Sequence, residues 1–160
     1  IEVLERAFEI FSQQLKVRGI DVVWDIQDGL PKIMADPGRL EQVFINLLIN
    51  ARDAIEEKWE VRGRDTGDNK ITIVTRAEGN RVVVEVSDTG IGIPDAILDK
   101  LFEPFFTTKE VGKGTGLGLS ISYGIIKECG GNIKVGSVNG EGARFTLTFP
   151  VPQTASEARG

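Results

Sequence analysis

The sequence predicts an α+β fold: a two-layer α/β sandwich in which a mixed, mostly antiparallel sheet packs against about three helices. Three observations carry this. Helix-period and strand-period segments alternate irregularly, not in the regular βαβ rhythm of a doubly wound parallel sheet. Two pairs of β-rich runs are separated only by turn residues, as hairpins are. The chain has 160 residues, 41% hydrophobic and 27% charged, the size and mixture of one ordinary domain with a buried core.

The elements follow in order. Val3, Leu4, Ala7, Phe8, Phe11 and Leu15 recur at the spacing of one helix face, and Arg18-Gly19 ends that helix. Ile20 to Ile26 reads as a strand, Asp28-Gly29-Leu30-Pro31 as a turn, and Lys32 to Ala35 as a short strand. Asp36 before Pro37 has the N-cap and first-turn preferences of a helix start, and this helix should run from Pro37 to about Trp59. The polar stretch Glu60 to Asn69 reads as a solvated loop. Ile71 to Arg76 and Arg81 to Ser87 are strands joined at Glu78-Gly79-Asn80. Ile97, Leu98 and Leu101 suggest a short helix after Pro94. A Gly-rich segment, Phe102 to Gly118, opens into a helix from about Leu117 to Glu128, stopped by Gly130-Gly131. A second hairpin, Ile133 to Val138 and Ala143 to Phe149, turns around Asn139-Gly140. Residues 1–150 then form one domain, and 151–160 a flexible C-terminal tail.

Composition excludes several chemistries. A net charge of −5 argues against a module that grips nucleic-acid backbone by bulk charge. One cysteine, Cys129, excludes an internal disulfide and a Cys-rich zinc site. The chain has no histidine, which removes His-based triads, His metal ligands and any phosphohistidine made on this chain. No stretch approaches the roughly 20 apolar residues of a membrane span, and the acidic, amphipathic start is not a signal peptide. The chain opens on Ile1 without a methionine and reads as a piece of a longer protein, whose membrane anchoring stays open.

The chemistry-bearing residues fall into three groups. In the helix beginning at Pro37, Gln42, Asn46, Asn50, Asp53 and Glu57 lie at offsets of 4, 4, 3 and 4 on a largely apolar circumference. Short amide and carboxylate oxygens one turn apart suit a hard cation such as Mg²⁺, which takes few protein ligands and keeps waters and phosphates. The same stripe also reads as the outer edge of a mostly buried helix. Next, the strand Val82 to Ser87 runs into Asp88-Thr89-Gly90-Ile91-Gly92-Ile93-Pro94. A carboxylate there can accept from an exocyclic amine, with Gly90 and Gly92 letting the backbone approach a flat ring. An Asp-initiated turn is the plainer reading. Asp-Thr-Gly is also the aspartic-protease triplet, but that chemistry needs two copies and has no use for the Gly-rich segment beyond.

The third group is Gly112-Lys113-Gly114-Thr115-Gly116-Leu117-Gly118-Leu119-Ser120. It is neither a Walker loop, since Gly114 follows Lys113, nor a dinucleotide fingerprint. Alternate glycines still free amides to wrap an anion, and the helix behind adds its N-terminal amides and dipole. A flexible surface loop is the alternative. Between the boxes, Phe102, Phe105 and Phe106 flank a proline, as in a segment that packs when closed and moves when open. Lys109 and Lys113 place positive charge where a terminal phosphate could sit, or are ordinary surface lysines.

Together these pieces resemble the ATP-binding catalytic domain of sensor histidine kinases. The order matches an N box (Gln42 to Ala51), a first G box (Asp88 to Pro94), an F box (Phe102 to Phe106) and a second G box (Gly112 to Gly118), over about residues 1–150. The resemblance implies the Bergerat-type ATP-binding fold shared with type II topoisomerases and mismatch-repair ATPases, with ATP and Mg²⁺ as cofactors. By position, it implies Asn50 as the Mg²⁺ ligand and a catalytic residue, with Asn46 and Asp53 lining the phosphate side. Asp88 would accept from the adenine amino group beside Gly90, Gly92 and Ile93. Gly112, Lys113, Gly114, Thr115, Gly116, Leu117 and Gly118 would form the lid's phosphate-facing part, Phe102 its hinge packing, and Thr108 and Lys109 would contact the nucleotide. Lys109 is the second catalytic residue implied, as partner of the γ-phosphate.

Hydrolysing members of the fold carry a glutamate one turn before the metal-binding asparagine; here that position is Asn46, which cannot act as a base. The resemblance therefore implies a histidine protein kinase domain that holds ATP for transfer and does not autophosphorylate alone. It implies as partners the histidine-bearing dimerisation domain of the parent, through which the parent forms a homodimer, and a response regulator downstream. No nucleic-acid or direct membrane contact by this fragment is expected, and the expected location is cytoplasmic, with the parent's membrane anchoring left open. Where family members often have Ser or Thr just before Phe145, this chain has Ala143 and Arg144. The alternatives are a regulatory nucleotide-binding module and a serine/threonine kinase of the same fold.

Overall fold

In the computed structural model the described residues are 9, 11–13, 15–27, 29, 33, 36–62, 69–93, 96, 100, 102, 118–138 and 142–151. Every described residue between 9 and 17 is helical (α1). Strand β1 (Asp21–Ile26) follows, then helix α2 (Pro37–Arg62), strands β2 (Lys70–Glu78) and β3 (Arg81–Asp88), helix α3 (Gly118–Glu128), and strands β4 (Asn132–Val138) and β5 (Gly142–Pro150).

The strands form one five-stranded sheet in the order β1-β2-β3-β5-β4. β1 runs parallel to β2 and the other three pairings are antiparallel, so the sheet is mixed and mostly antiparallel as expected. Alternation along the strands sends Ile71 and Ile73 of β2, Val82, Val84 and Val86 of β3, and Phe145, Leu147 and Phe149 of β5 into a single apolar core. The helices close that core with Phe11 and Leu15 from α1, Val43, Leu47, Leu48 and Ile55 from α2, and Ile126 from α3. Packing of this kind, not helix propensity, holds the long α2 in place.

α2 starts where the sequence places it. The Asp36 carboxylate accepts from the Gly38 amide at 2.9 Å and the Arg39 amide at 3.3 Å, a side-chain N-cap. Its far end differs from expectation: the helix continues past Trp59 to Arg62, because Glu60, Val61 and Arg62 are competent helix residues and no breaker precedes Gly63. Trp59 there donates its indole N–H to Asn69 at 2.9 Å, tying the helix end to the start of β2. Strand β2 also outruns its apolar core, to Glu78, since ladder pairing with β3 continues as far as Glu78 and Arg81. α2 and α3 are joined across their outer ends by an Arg39–Glu128 ion pair.

The short strand expected at 32–35 lies outside the described residues except for Ile33, which is in no strand. Most of the helix expected after Pro94, the turn at 139–140 and the tail after Val151 also lie outside them. No helix among the described residues is long and apolar enough to cross a membrane.

Candidate functional site

Even-numbered residues of β3 from Val82 to Val86 face the helices, and Asp88 continues that alternation as the last residue of the strand. Its carboxylate is thereby aimed at the helix layer, opposite Ile71 in the register. Oδ1 accepts from the Gly90 amide at 2.8 Å, closing an Asx turn. Burial pushes the Asp88 carboxyl up to about 6, against the opposing pull of the Gly90 and Ala143 amides and of the Lys58 charge. A carboxylate partly withdrawn from water is costly unless something donates to it.

The turn that follows is fastened to α2. Ile91 N–H donates to the Ala54 carbonyl at 3.0 Å, and a Cβ on Gly90 would stand 2.5 Å from the Ala54 carbonyl carbon. Glycine at 90 is thus required by helix contact. Gly92 adopts φ +80°, the left-handed region. Ile93 N–H donates to Ser137 Oγ at 2.6 Å, and that hydroxyl donates on to the Gly142 carbonyl at 2.9 Å. Thr89 bonds the start of β2, with its amide donating to the Lys70 carbonyl at 3.2 Å and its Oγ1 accepting from the Lys70 amide at 3.0 Å.

Along α2, the ends of the expected polar stripe, Gln42 and Glu57, are exposed, while Asn46, Asn50 and Asp53 are half-buried. Asn46 Nδ2 donates to Ser122 Oγ at 3.3 Å, and Ser122 on α3 is fully buried. Asp53 Oδ1 accepts from the Arg52 guanidinium at 3.0 Å. No hydrogen bond from a described residue fixes the Asn50 side chain. Asn46 and Asn50 are one turn apart, and Ala54, which carries the Asp88 turn, is one turn further on the same ridge. One helix therefore links the carboxylate at the end of β3 to Asn50 and to Asn46, which reaches α3 through Ser122.

Phe102 is half-buried and packs on α3, its ring 5.3 Å from that of Tyr123. Gly118 is the first residue of α3. Thr108, Lys109, Gly112, Lys113, Gly114, Thr115, Gly116 and Leu117 lie outside the described residues. Among the described residues no cluster of three or more His, Cys, Asp or Glu side chains could hold a metal by itself. A cation beside α2 would lean on amide and single carboxylate oxygens and on its own waters and phosphates, the arrangement Mg²⁺ accepts.

Two site-forming residues have no counterpart in the sequence reading. Gly142, at φ +116°, lets β5 pass so close to β3 that a Cβ there would stand 2.1 Å from the Asp88 carbonyl oxygen. The close spacing of Gly140 and Gly142 ahead of Ala143 was the available signal. Lys58, only 6% exposed, donates from Nζ to the Thr89 carbonyl at 2.7 Å. It continues the Asn46, Asn50, Ala54 series by one more step of four.

Residues 35–153 match the family described as histidine kinase-, DNA gyrase B- and HSP90-like ATPases. The sensor kinase CckA of Brucella abortus (strain 2308) is 48% identical over 139 residues, covering 82% of this chain and 15% of that protein. Among solved structures, the catalytic domain of histidine kinase ThkA in a nucleotide-free form superposes with TM-score 0.76 at 33% identity, covering 93% of this chain and 90% of that one. Full-length ShkA in complex with AMPPNP gives TM-score 0.78 at 30% identity, over 98% of this chain and 31% of that one. The chain spans between 15% and 32% of the length of the curated sensor kinases CckA and ZraS that it resembles. With fold, boxes and family match in agreement, the chain belongs to the histidine kinase-, DNA gyrase B- and HSP90-like ATPases, within which it is similar to the ATP-binding catalytic domains of sensor histidine kinases.

Proposed function

We propose that residues 1–150 are the catalytic domain of a two-component sensor kinase, which binds ATP with Mg²⁺ and presents the γ-phosphate to a histidine on a separate dimerisation domain. The observation that carries this is the half-buried Asp88 carboxylate, fixed by the Gly90 amide in a turn bonded to α2, one helix ridge away from Asn50 and Asn46. Asp88 accepts from the adenine amino group. Asn50 supplies its side-chain oxygen to the metal, and Asn46 and Asp53 line the nucleotide's phosphate side. Bound Mg²⁺ would supply charge neutralisation on the phosphates. Phosphoryl transfer needs positioning and charge compensation more than a strong base, and this chain has an amide, not a carboxylate, at 46. Lys109 and the glycines from Gly112 to Gly118 belong to the same proposal as phosphate contacts, with Thr108 beside them. The acceptor domain, the homodimer built through it, the response regulator and a cytoplasmic location complete the reading.

The test has two steps. Calorimetric titration with AMPPNP, with and without Mg²⁺, should show metal-dependent binding. Labelled ATP mixed with this chain and a histidine-bearing dimerisation domain should then label that domain, with no acid-labile label on this chain. Binding without transfer to any such domain would favour a regulatory nucleotide-binding module. No affinity for adenine nucleotides at millimolar concentration would sink both.

A further inference from the structure

Lys58 is a buried cation with no part in the chemistry described so far. An ammonium taken out of water is expensive unless it is bonded and compensated, so its place calls for a reason. It sits in the last third of α2, one turn beyond Ala54, and these two residues hold the same turn at two points. Ala54 accepts from Ile91 N–H at 3.0 Å; Lys58 donates to the Thr89 carbonyl at 2.7 Å. Between those anchors lies Gly90, whose amide is the donor to Asp88 Oδ1. The lysine therefore fixes the peptide that directs this donor, and its charge acts on the carboxylate.

We propose that Lys58 is a positioning residue for purine recognition, acting through the Thr89 carbonyl and through its charge on the Asp88 carboxylate that reads the exocyclic amine. This rests on the reading of Asp88 as the adenine acceptor. The charged groups around Asp88 among the described residues are few. Lys58 comes from α2, Lys70 opens β2 and bonds Thr89 through its backbone, and Arg144 of β5 donates its Nε to Ser87, which points to the other face of the sheet. Lys58 is the one whose field pulls the Asp88 carboxyl down, opposing the burial that pushes it up.

The chain itself is titrated with ADP and with IDP, which presents a carbonyl where ADP presents the amine, from pH 5 to pH 8. The ratio of the two affinities cancels the titration of the phosphates. In the wild-type chain the preference for ADP should fade as pH drops through about 6. Lys58→Met should lower that preference about tenfold near pH 6.5, the scale of one charge-assisted hydrogen bond, and shift its fading to higher pH. Lys58→Gln, which keeps a donor for Thr89 and loses the charge, should show the pH shift with a smaller loss at pH 8. Lys58→Arg should keep the wild-type pH profile. Thermal melts identify which variants fold, and any one folded variant decides. Unchanged ADP preference and pH profile in a folded Lys58→Met or Lys58→Gln chain overturns the proposal while leaving the adenine reading intact. Equal losses for ADP and IDP with the pH profile unmoved would also overturn it, showing a purely structural lysine. A wild-type chain that binds neither nucleotide, or binds both alike at every pH, overturns the reading of Asp88 and the proposal with it.

Discussion

The turn after β3 and the polar ridge of α2 are held to different tolerances. The turn is overdetermined: the Asp88–Gly90, Ile91–Ala54, Lys58–Thr89 and Lys70–Thr89 bonds fix consecutive residues, and glycines at 90 and 142 admit backbone where no side chain fits. On the ridge, Asn46 is tied to Ser122 and Asp53 to Arg52, but Asn50 between them has no such tether among the described residues. The difference matches what each end would bind. A flat ring with one amine demands a fixed acceptor, whereas a hydrated cation tolerates a ligand that adjusts.

The contrast is broken most severely at Gly142. Gly142→Ala combines a left-handed backbone with a 2.1 Å clash against the Asp88 carbonyl oxygen. It should cost about 2–4 kcal/mol of stability, read as a large drop in unfolding temperature, and lose nucleotide affinity with it. Asp88→Asn should separate the two quantities. ATP affinity falls by about 1.5–3 kcal/mol in titration calorimetry while GTP or ITP binding changes little.

Stability follows the opposite sense. Because the native carboxyl binds its proton more tightly than an unfolded one, the carboxylate costs stability above about pH 6, and that cost disappears as pH falls toward 4. Asp88→Asn should therefore melt no lower than wild type at pH 7.5, and lose the rise in relative stability that wild type shows on acidification. Smallest in the absence of ligand is Asn50→Ala, expected to move stability by less than about 0.5 kcal/mol, as for a side chain with no hydrogen-bond partner among the described residues. Its effect should show only with nucleotide, as loss of the Mg²⁺ dependence of ATP affinity. A marked drop in melting temperature for Asn50→Ala would mean that the ridge is as tightly built as the turn.

Local signals in the sequence had local causes, and these were legible. Asp36-Pro37 marked the start of α2 because capping is a three-residue affair, and Glu78-Gly79-Asn80 marked the first hairpin because a two-strand turn is equally short-ranged. The parallel pairing of β1 with β2 was not legible, since it joins Asp21–Ile26 to Lys70–Thr75 across the whole of α2 and leaves no turn to read. In the site, Asp88 stood out by its place at a strand end. Lys58 did not: a lysine four residues from an alanine on a helix looks solvated until the strand turn it faces is known. Gly90 stood out for a flat ligand, and the structure adds a contact with Ala54 that sequence periodicity cannot foresee.

Because Ala54, Asn50 and Asn46 belong to a single uninterrupted helix, their separations are fixed by its rise, about 12 Å over the eight residues from 54 to 46. On the proposed reading of Asp88 and Asn50, the domain thus carries a caliper with one jaw for a heterocycle and the other for a charged tail. Neither jaw can slide toward the other without unwinding the rod between them, so molecules that are too short must leave one jaw empty.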